Sequence, residues 1–145
     1  MNKVTAKETN PNISKEEVNN LLLAAQQLEQ QATRYNQQME ILNNYSSEMN
    51  SAEQTLIELK NSKGDKKILV PIGAGNFVYA AIENTDKVIV TIGAGVHNEK
   101  PIDESIELVK KKKDEIENQI VQIKASYNEV IERLREIDRV IKSVM

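Results

Sequence analysis

The sequence has no cysteine and no tryptophan, and aromatic residues make up only 3% of it. Without cysteine the chain cannot form a disulfide framework or a thiolate metal site, and this composition is compatible with a reducing compartment. Aromatic side chains supply much of the buried area in large cores, so their scarcity argues against an ordinary compact globule. With 28% charged residues, an elongated and helix-rich chain is the better expectation.

Long apolar runs are also missing, and the formal net charge is only −3. No segment is apolar over the length that a membrane span needs, and residues 1–12 lack the apolar stretch of a signal peptide. We therefore expect a cytoplasmic protein with no membrane partner. The small negative charge also gives no global signature of nucleic-acid binding, so nucleic acid is not an expected partner.

The sequence offers few candidate residues for catalysis or for binding a cofactor. His97 is the only histidine, and no metal-like spacing of other ligands surrounds it, so we expect no metal site and no nucleophile–base pair. The repeated Gly-Ala-Gly segments could cradle a phosphate, but a P-loop also needs Gly-Lys-Ser/Thr and a following helix. Turn glycines are the better interpretation of Gly73, Gly75, Gly93 and Gly95. We predict no enzymatic activity and no cofactor.

The glycines belong to a repeated motif, because Ile-Gly-Ala-Gly at residues 72–75 recurs at residues 92–95. Short β-rich runs flank both motifs, which predicts four strands in two hairpins. The second strand is apolar on both faces, and a small sheet of this kind cannot stand in water alone. Residues 64–99 are therefore expected to form an oligomerisation body. Its predicted contact residues are Ile68, Leu69, Val70, Ile72, Phe77, Val78, Tyr79, Ile82, Val88, Ile89, Val90 and Ile92.

The segment before this body, residues 14–63, carries apolar residues at alternating steps of three and four and is predicted to be a helix. Ser14 and Glu17 have the spacing of a capping box, which marks its start. Its apolar series, which includes Ala52 and ends at Leu59, has one irregular step, from Leu42 to Tyr45. Such a step is a stammer, which locally overwinds a coiled coil.

The segment after the body, residues 100–145, has an unbroken apolar series with one polar member, Lys113. A lysine in a seam can extend its amine to water or fix the register of the helices. Because the two helices match in length and their connection is short, we expect an antiparallel two-helix coiled coil with a central pair of β-hairpins, an α+β fold. Residues 1–13 lack any periodicity and are expected to form a flexible tail.

The expected antiparallel pairing brings the start of the first helix beside the end of the second. Apolar residues are more numerous there than a two-helix seam needs, which indicates either a wide seam or a surface for clients with exposed apolar segments. We call this set the terminal apolar cluster and predict that it is the client-binding tip. It comprises Ile13, Val18, Leu21, Leu22, Leu23, Val140, Ile141, Val144 and Met145.

Four consecutive lysines occupy residues 110–113. They are typical of a solvated helix face, but they could also form a docking or nucleic-acid patch. The alternative function is therefore a structural or nucleic-acid-associated coiled-coil scaffold. Salt-dependent binding to nucleic acid is the property that separates this alternative from a client-binding protein.

The block LVPIGAGNFVYAAIENTDKVIVTIGAGV, set between two heptad helices, resembles the archaeal prefoldin family, and its two hairpins are typical of the α class. The resemblance covers residues 14–144. It implies an assembly of two α and four prefoldin β subunits, whose hairpins form an inter-subunit double β-barrel. It also implies an ATP-independent holdase that captures non-native polypeptides at coiled-coil tips and delivers them to a group II chaperonin.

Overall fold

The computed structural model describes residues 13–62 and 66–144, and its elements alternate as the sequence predicts: helix, two hairpins, helix. The predicted tail up to residue 12, residues 63–65 and the cluster residue Met145 lie outside the described residues. The elements are α1 (Lys15–Asn61), β1 (Lys66–Gly73), β2 (Asn76–Ile82), β3 (Lys87–Gly93), β4 (Val96–Pro101) and α2 (Ile102–Val144).

The chain divides into two compact units. Among the described residues, the helix-terminal unit contains residues 13–43 and 118–144, and the hairpin unit contains residues 44–62 and 66–117. Each unit includes a part of both helices. The hairpin unit also contains all four strands.

Local hydrogen bonds cap both ends of α1. The Ser14 amide donates to Glu17 Oε2 at 3.0 Å, and the Glu17 amide donates to Ser14 Oγ at 3.2 Å. These two bonds confirm the predicted capping box, which satisfies two amides that the helix leaves without partners. At the other end the Ser62 hydroxyl donates to the carbonyl oxygen of Leu59 at 2.9 Å.

The second helix begins two residues later than the sequence suggests. Lys100 and Pro101 end β4 instead of opening the helix, and α2 starts at Ile102. The reason is a tertiary hydrogen bond: the Ile102 amide donates to the carbonyl oxygen of Asp86 at 2.8 Å. A carbonyl of the turn between the hairpins thereby satisfies one of the backbone amides at the start of α2. Ile102 and Ile106, near the start of this helix, are buried.

The buried stripe of α1 corrects the predicted stammer. Tyr45 and Ala52, which the sequence placed in the seam, are exposed, while Ser46 and Glu53 are half-buried in their place. The seam therefore keeps its regular alternation from Leu42 to Leu56, and the irregular step falls instead between Leu56 and Leu59. Its positions are Val18, Leu21, Ala25, Leu28, Ala32, Tyr35, Met39, Leu42, Ser46, Met49, Glu53, Leu56 and Leu59.

The predicted seam of α2 is confirmed at every position, since each is buried or half-buried. In the hairpin unit, Lys60 Nζ lies 2.6 Å from Asp103 Oδ1. In the same unit Lys113 lies beside Glu53. Because the later residue of α1 pairs with the earlier residue of α2, the helices run antiparallel there. The α2 positions are Ile102, Ile106, Val109, Lys113, Ile116, Ile120, Ile123, Tyr127, Val130, Leu134, Ile137, Ile141 and Val144.

The two hairpins form separate two-stranded antiparallel sheets with the same internal register. Leu69 pairs with Tyr79 in the first hairpin, and Ile89 pairs with Glu99 at the equivalent position of the second, twenty residues later. In both hairpins the register shifts next to the turn: between Pro71 and Gly73 in the first, and between Thr91 and Gly93 in the second. The sequence repeat is therefore a structural repeat.

Both Gly-Ala-Gly segments form tight turns with positive φ. Ala74 has φ 50° and Gly75 has φ 75°, and Ala94 and Gly95 repeat these values with 49° and 74°. Two consecutive positive φ values are what a type I′ hairpin turn requires. Each turn therefore contains an alanine in the left-handed conformation, which costs an L-residue about 1–2 kcal/mol.

We expect Ala74→Asn to raise the free energy of unfolding by about 0.5–1 kcal/mol, because asparagine tolerates the left-handed conformation that alanine resists. The opposite change, Gly75→Ala, should lower it by about 1 kcal/mol. The new Cβ would have no atom within 4 Å, so this cost comes from the backbone alone. Urea unfolding of the purified chain measures both, and equal stability of the two variants would contradict the turn assignment.

Candidate functional site

The terminal apolar cluster lies in the helix-terminal unit and is only partly covered. Leu22, Leu23 and Val140 are exposed. The other described members, Ile13, Val18, Leu21, Ile141 and Val144, are half-buried. The exposed members lie outside the seam positions, so pairing of the two helices does not cover them.

One side of the helix pair in this unit carries an apolar groove of about 410 Å³. Leu22 from α1 and Ile141 from α2, both predicted cluster members, line it together. We call it the terminal groove. Its lining residues are Leu22, Ala25, Glu29, Ile131, Leu134, Arg135, Ile137, Asp138 and Ile141. An apolar floor with three charged residues suits an apolar side chain from an extended or helical segment.

A second groove, of about 510 Å³, is more polar. Its lining includes Ala24, Gln27, Gln31, Arg133 and Glu136. Residues two apart on a helix point about 200° away from each other, so Ala24 and Leu22 lie on opposite sides of α1. Both sides of the helix pair in this unit therefore carry a groove, and Ile137 lines both of them. Ile13 and Leu21 line a third hollow, whereas Leu23 lines none of these three.

Sequence reasoning missed Ile131 as part of this site. It is half-buried, lies directly after the buried seam residue Val130, and lines the terminal groove. An apolar residue adjacent to a seam position widens the apolar stripe. That signal was present in the sequence, but it identifies a groove only when Leu22 of the other helix is known to lie nearby.

The seam of the hairpin unit contains a polar contact between the helices. Lys113 Nζ lies 3.4 Å from Glu53 Oε2 and 3.3 Å from Asn50 Oδ1. Both charged side chains are largely covered, with 27% and 15% of their surface exposed. Lys113 therefore binds across the seam instead of extending to water, which supports the predicted role in fixing the register.

The other three lysines of the basic run are exposed on α2. Acidic side chains lie close to them, because Glu107 and Asp114 line the same surface hollow as Lys110 and Lys111. This mixture of charges is typical of a solvated helix face. This mixture of charges therefore does not favour the alternative function, a coiled-coil scaffold that binds nucleic acid.

The predicted oligomerisation residues all lie in the hairpin unit, and most of them are exposed. Exposed members are Ile68, Leu69, Ile72, Phe77, Val78, Tyr79, Ile89 and Ile92. The remaining members, Val70, Ile82, Val88 and Val90, are half-buried. Each hairpin therefore turns one face partly toward the rest of its unit and leaves the other open.

Residues 13–62 and 66–144 hold no cluster of three side chains suited to a metal ion. His97 contacts Thr91 across the second hairpin, with 2.9 Å between Nδ1 and Oγ1. Within the same ranges, no helix is both long and apolar enough to cross a lipid bilayer.

Two long helices joined by two antiparallel hairpins define an α+β coiled-coil protein whose hairpins leave apolar side chains exposed. The family model described as "Prefoldin subunit" matches residues 28–145. The chain therefore belongs to the prefoldin family, whose members are co-chaperone subunits.

Relatives and a solved structure agree with this assignment. The chain is 34% identical over 129 residues to the prefoldin subunit alpha of Methanosarcina barkeri, covering 87% of this chain and 90% of the relative. It is 34% identical over 124 residues to the prefoldin subunit alpha of Pyrococcus horikoshii, covering 85% and 84%. A chain of the cryo-EM structure of filamentous PFD from Methanocaldococcus jannaschii matches the fold with a TM-score of 0.68 at 20% identity, covering 80% of this chain and 96% of that one.

Proposed function

We propose that this prefoldin subunit is an ATP-independent holdase that captures non-native polypeptides at its terminal apolar cluster. The observation that carries this proposal is the exposure of three cluster residues, Leu22, Leu23 and Val140, of which Leu22 also lines the terminal groove. Full burial of such a side chain is worth about 1.5–3 kcal/mol. A segment of an unfolded protein that covers these residues gains part of that free energy without any chemical step.

The charged residues around the terminal groove support a client that is only partly apolar. Glu29, Arg135 and Asp138 surround its apolar floor, so a bound segment can keep its own polar groups in water. Contacts of this kind are weak one at a time. Several subunits in one assembly would bind one client through many of them, which raises the overall affinity.

The assembly itself is the second part of the proposal. The hairpin residues 68–92 would join prefoldin β subunits in a complex of two α and four β chains, and the complex would deliver clients to a group II chaperonin in the cytoplasm. Support comes from the exposed apolar side chains of the hairpins and from the shared family. The filamentous relative adds that this fold occurs in larger assemblies.

The decisive variant replaces the three exposed cluster residues: Leu22→Gln, Leu23→Gln and Val140→Gln. Glutamine forms helices well, and the three positions are exposed, so the fold should be retained. We expect client affinity to fall about tenfold or more. The measurement is light scattering of denatured citrate synthase diluted into the assembled complex.

The matched control changes three equally exposed apolar residues outside the cluster: Ile41→Gln, Tyr45→Gln and Val121→Gln. We expect this control to suppress aggregation as well as the unmodified complex does. An equal loss in both triple variants would show that exposed apolar surface in general, and not the terminal cluster, holds the client.

A further inference from the structure

Three charged side chains line the terminal groove, and two of them have ionic partners on their own helix. Arg135 Nη1 lies 3.4 Å from Glu132 Oε1, and Asp138 Oδ2 lies 3.0 Å from Lys142 Nζ. The third is Glu29, which belongs to α1 and therefore to the other wall of the groove. Among the described residues it makes no ion pair.

The neighbours of Glu29 on its own helix supply no cation. Side chains three and four positions apart on a helix are the ones that reach each other, and at these positions α1 has Ala25, Gln26, Ala32 and Thr33. Glu29 is exposed, so water solvates its carboxylate while the groove is empty. A client segment that covers the groove removes part of this water, and a cation on that segment compensates for the loss.

The distance between the apolar and acidic parts of the groove sets a spacing for the client. Leu22 and Ile141, both members of the terminal apolar cluster, line the same groove as Glu29. Glu29 is seven positions after Leu22 on α1, so about 10 Å separates the two along the helix axis. An extended peptide advances about 3.3 Å per residue. A side chain that contacts Leu22 and a side chain that reaches Glu29 are therefore about three residues apart in the client.

We propose that the terminal groove binds client segments in which a lysine or arginine lies about three positions from a large apolar residue, and that Glu29 selects for this cation. The inference rests on the proposed client binding at the terminal apolar cluster, and it names the class of client segment. The apolar contacts supply the affinity. The ion pair with Glu29 supplies the preference among apolar segments.

The groove on the opposite side of the helix pair provides an internal comparison. Its lining contains one basic side chain, Arg133, and one acidic side chain, Glu136, so its charges balance. Glu136 is exposed, as Glu29 is, and it also makes no ion pair within the part of the chain that the structure describes. It is therefore the matched control, with the same charge in the same unit but outside the terminal groove.

The test compares two peptides of identical composition, each with one pair of leucines and one lysine. In the first peptide the lysine is about three residues from the leucines, and in the second it is about eight residues away, beyond the reach of Glu29. We expect the full-length chain to bind the first peptide about threefold more tightly, as one exposed ion pair allows. High salt should reduce this preference, because it screens exposed charges. Fluorescence anisotropy measures both affinities.

Two substitutions of Glu29 and one of the control residue complete the test. Glu29→Gln should lower the affinity for the first peptide to that for the second, and Glu29→Lys should reverse the preference. Glu136→Gln should leave the preference unchanged. Glutamine and lysine form helices well, so the circular dichroism spectra of all three variants should match that of the wild-type chain.

Equal binding of the two peptides by the wild-type chain would overturn the inference, and so would equal effects of Glu29→Gln and Glu136→Gln. Tighter binding of a peptide with glutamate in place of the lysine would assign the selection to Arg135 and overturn the assignment to Glu29. The triple glutamine variant of the cluster tests the proposed function separately. If it binds both peptides as well as the wild-type chain does, the terminal apolar cluster is not the client site.

Discussion

Val130→Asp should lower the free energy of unfolding by about 3 kcal/mol or more. Val130 is 5% exposed and belongs to the α2 seam of the helix-terminal unit. A carboxylate at this position would lose its hydration without gaining a cation, and an unpaired buried charge is among the most destabilising changes in a protein. Urea or thermal unfolding followed by circular dichroism measures the loss.

The same substitution at Val121 is the control. Val121 lies on the same helix and in the same unit, but it is 66% exposed. A carboxylate there stays in water, so Val121→Asp should change stability by no more than about 0.5 kcal/mol. If both variants were destabilised alike, the buried stripe assigned to α2 would be wrong.

The second large effect is expected at the polar contact in the seam. Lys113→Met should cost about 1–2 kcal/mol, because it leaves the largely covered carboxylate of Glu53 without its cation. The double variant Lys113→Met with Glu53→Leu should recover that loss or exceed the original stability, since replacing both partners by apolar groups is often neutral or stabilising.

Lys111→Met controls for the loss of one positive charge, since Lys111 is exposed two positions away on the same helix. It should change stability by less than about 0.5 kcal/mol. A double-mutant cycle in urea isolates the coupling between Lys113 and Glu53. A coupling indistinguishable from zero would show that the cross-seam contact does not stabilise the pairing of the helices.

Much of the fold followed from local patterns in the sequence. Ser14 and Glu17 announced the start of α1, and the bonds between them confirm it. The unbroken apolar series of α2 predicted its buried stripe without error, because helical periodicity is a property of one segment. The Ile-Gly-Ala-Gly motifs predicted both hairpin turns, since glycine supplies the positive φ that such turns need.

Other features depended on which segments meet. The sequence favoured Tyr45 as a seam residue because it is apolar, yet Ser46 is covered and Tyr45 is exposed. Covering Glu53 in the seam is tolerable only because Lys113, which also donates to Asn50 Oδ1, donates to its carboxylate. No pattern within α1 predicts that Lys113, sixty residues later in the chain, is the partner of Glu53.

The sequence also predicted only part of the candidate site. Leu22, Leu23 and Val140 could be named from sequence as excess apolar residues near the helix termini. The terminal groove could not, because Ile131 and Leu22 form it from different helices.

The sequence by itself determined the elements of this protein: two helices with a 3.5-residue repeat, two hairpins with glycine turns, and more apolar surface than one chain can cover. Those properties arise from backbone preference and from spacing along the chain. Only the tertiary structure decided which polar residues share the seam and which residues of the two helices meet in the terminal groove. These depend on contacts between distant segments, and hydrophobicity along a single segment does not record them.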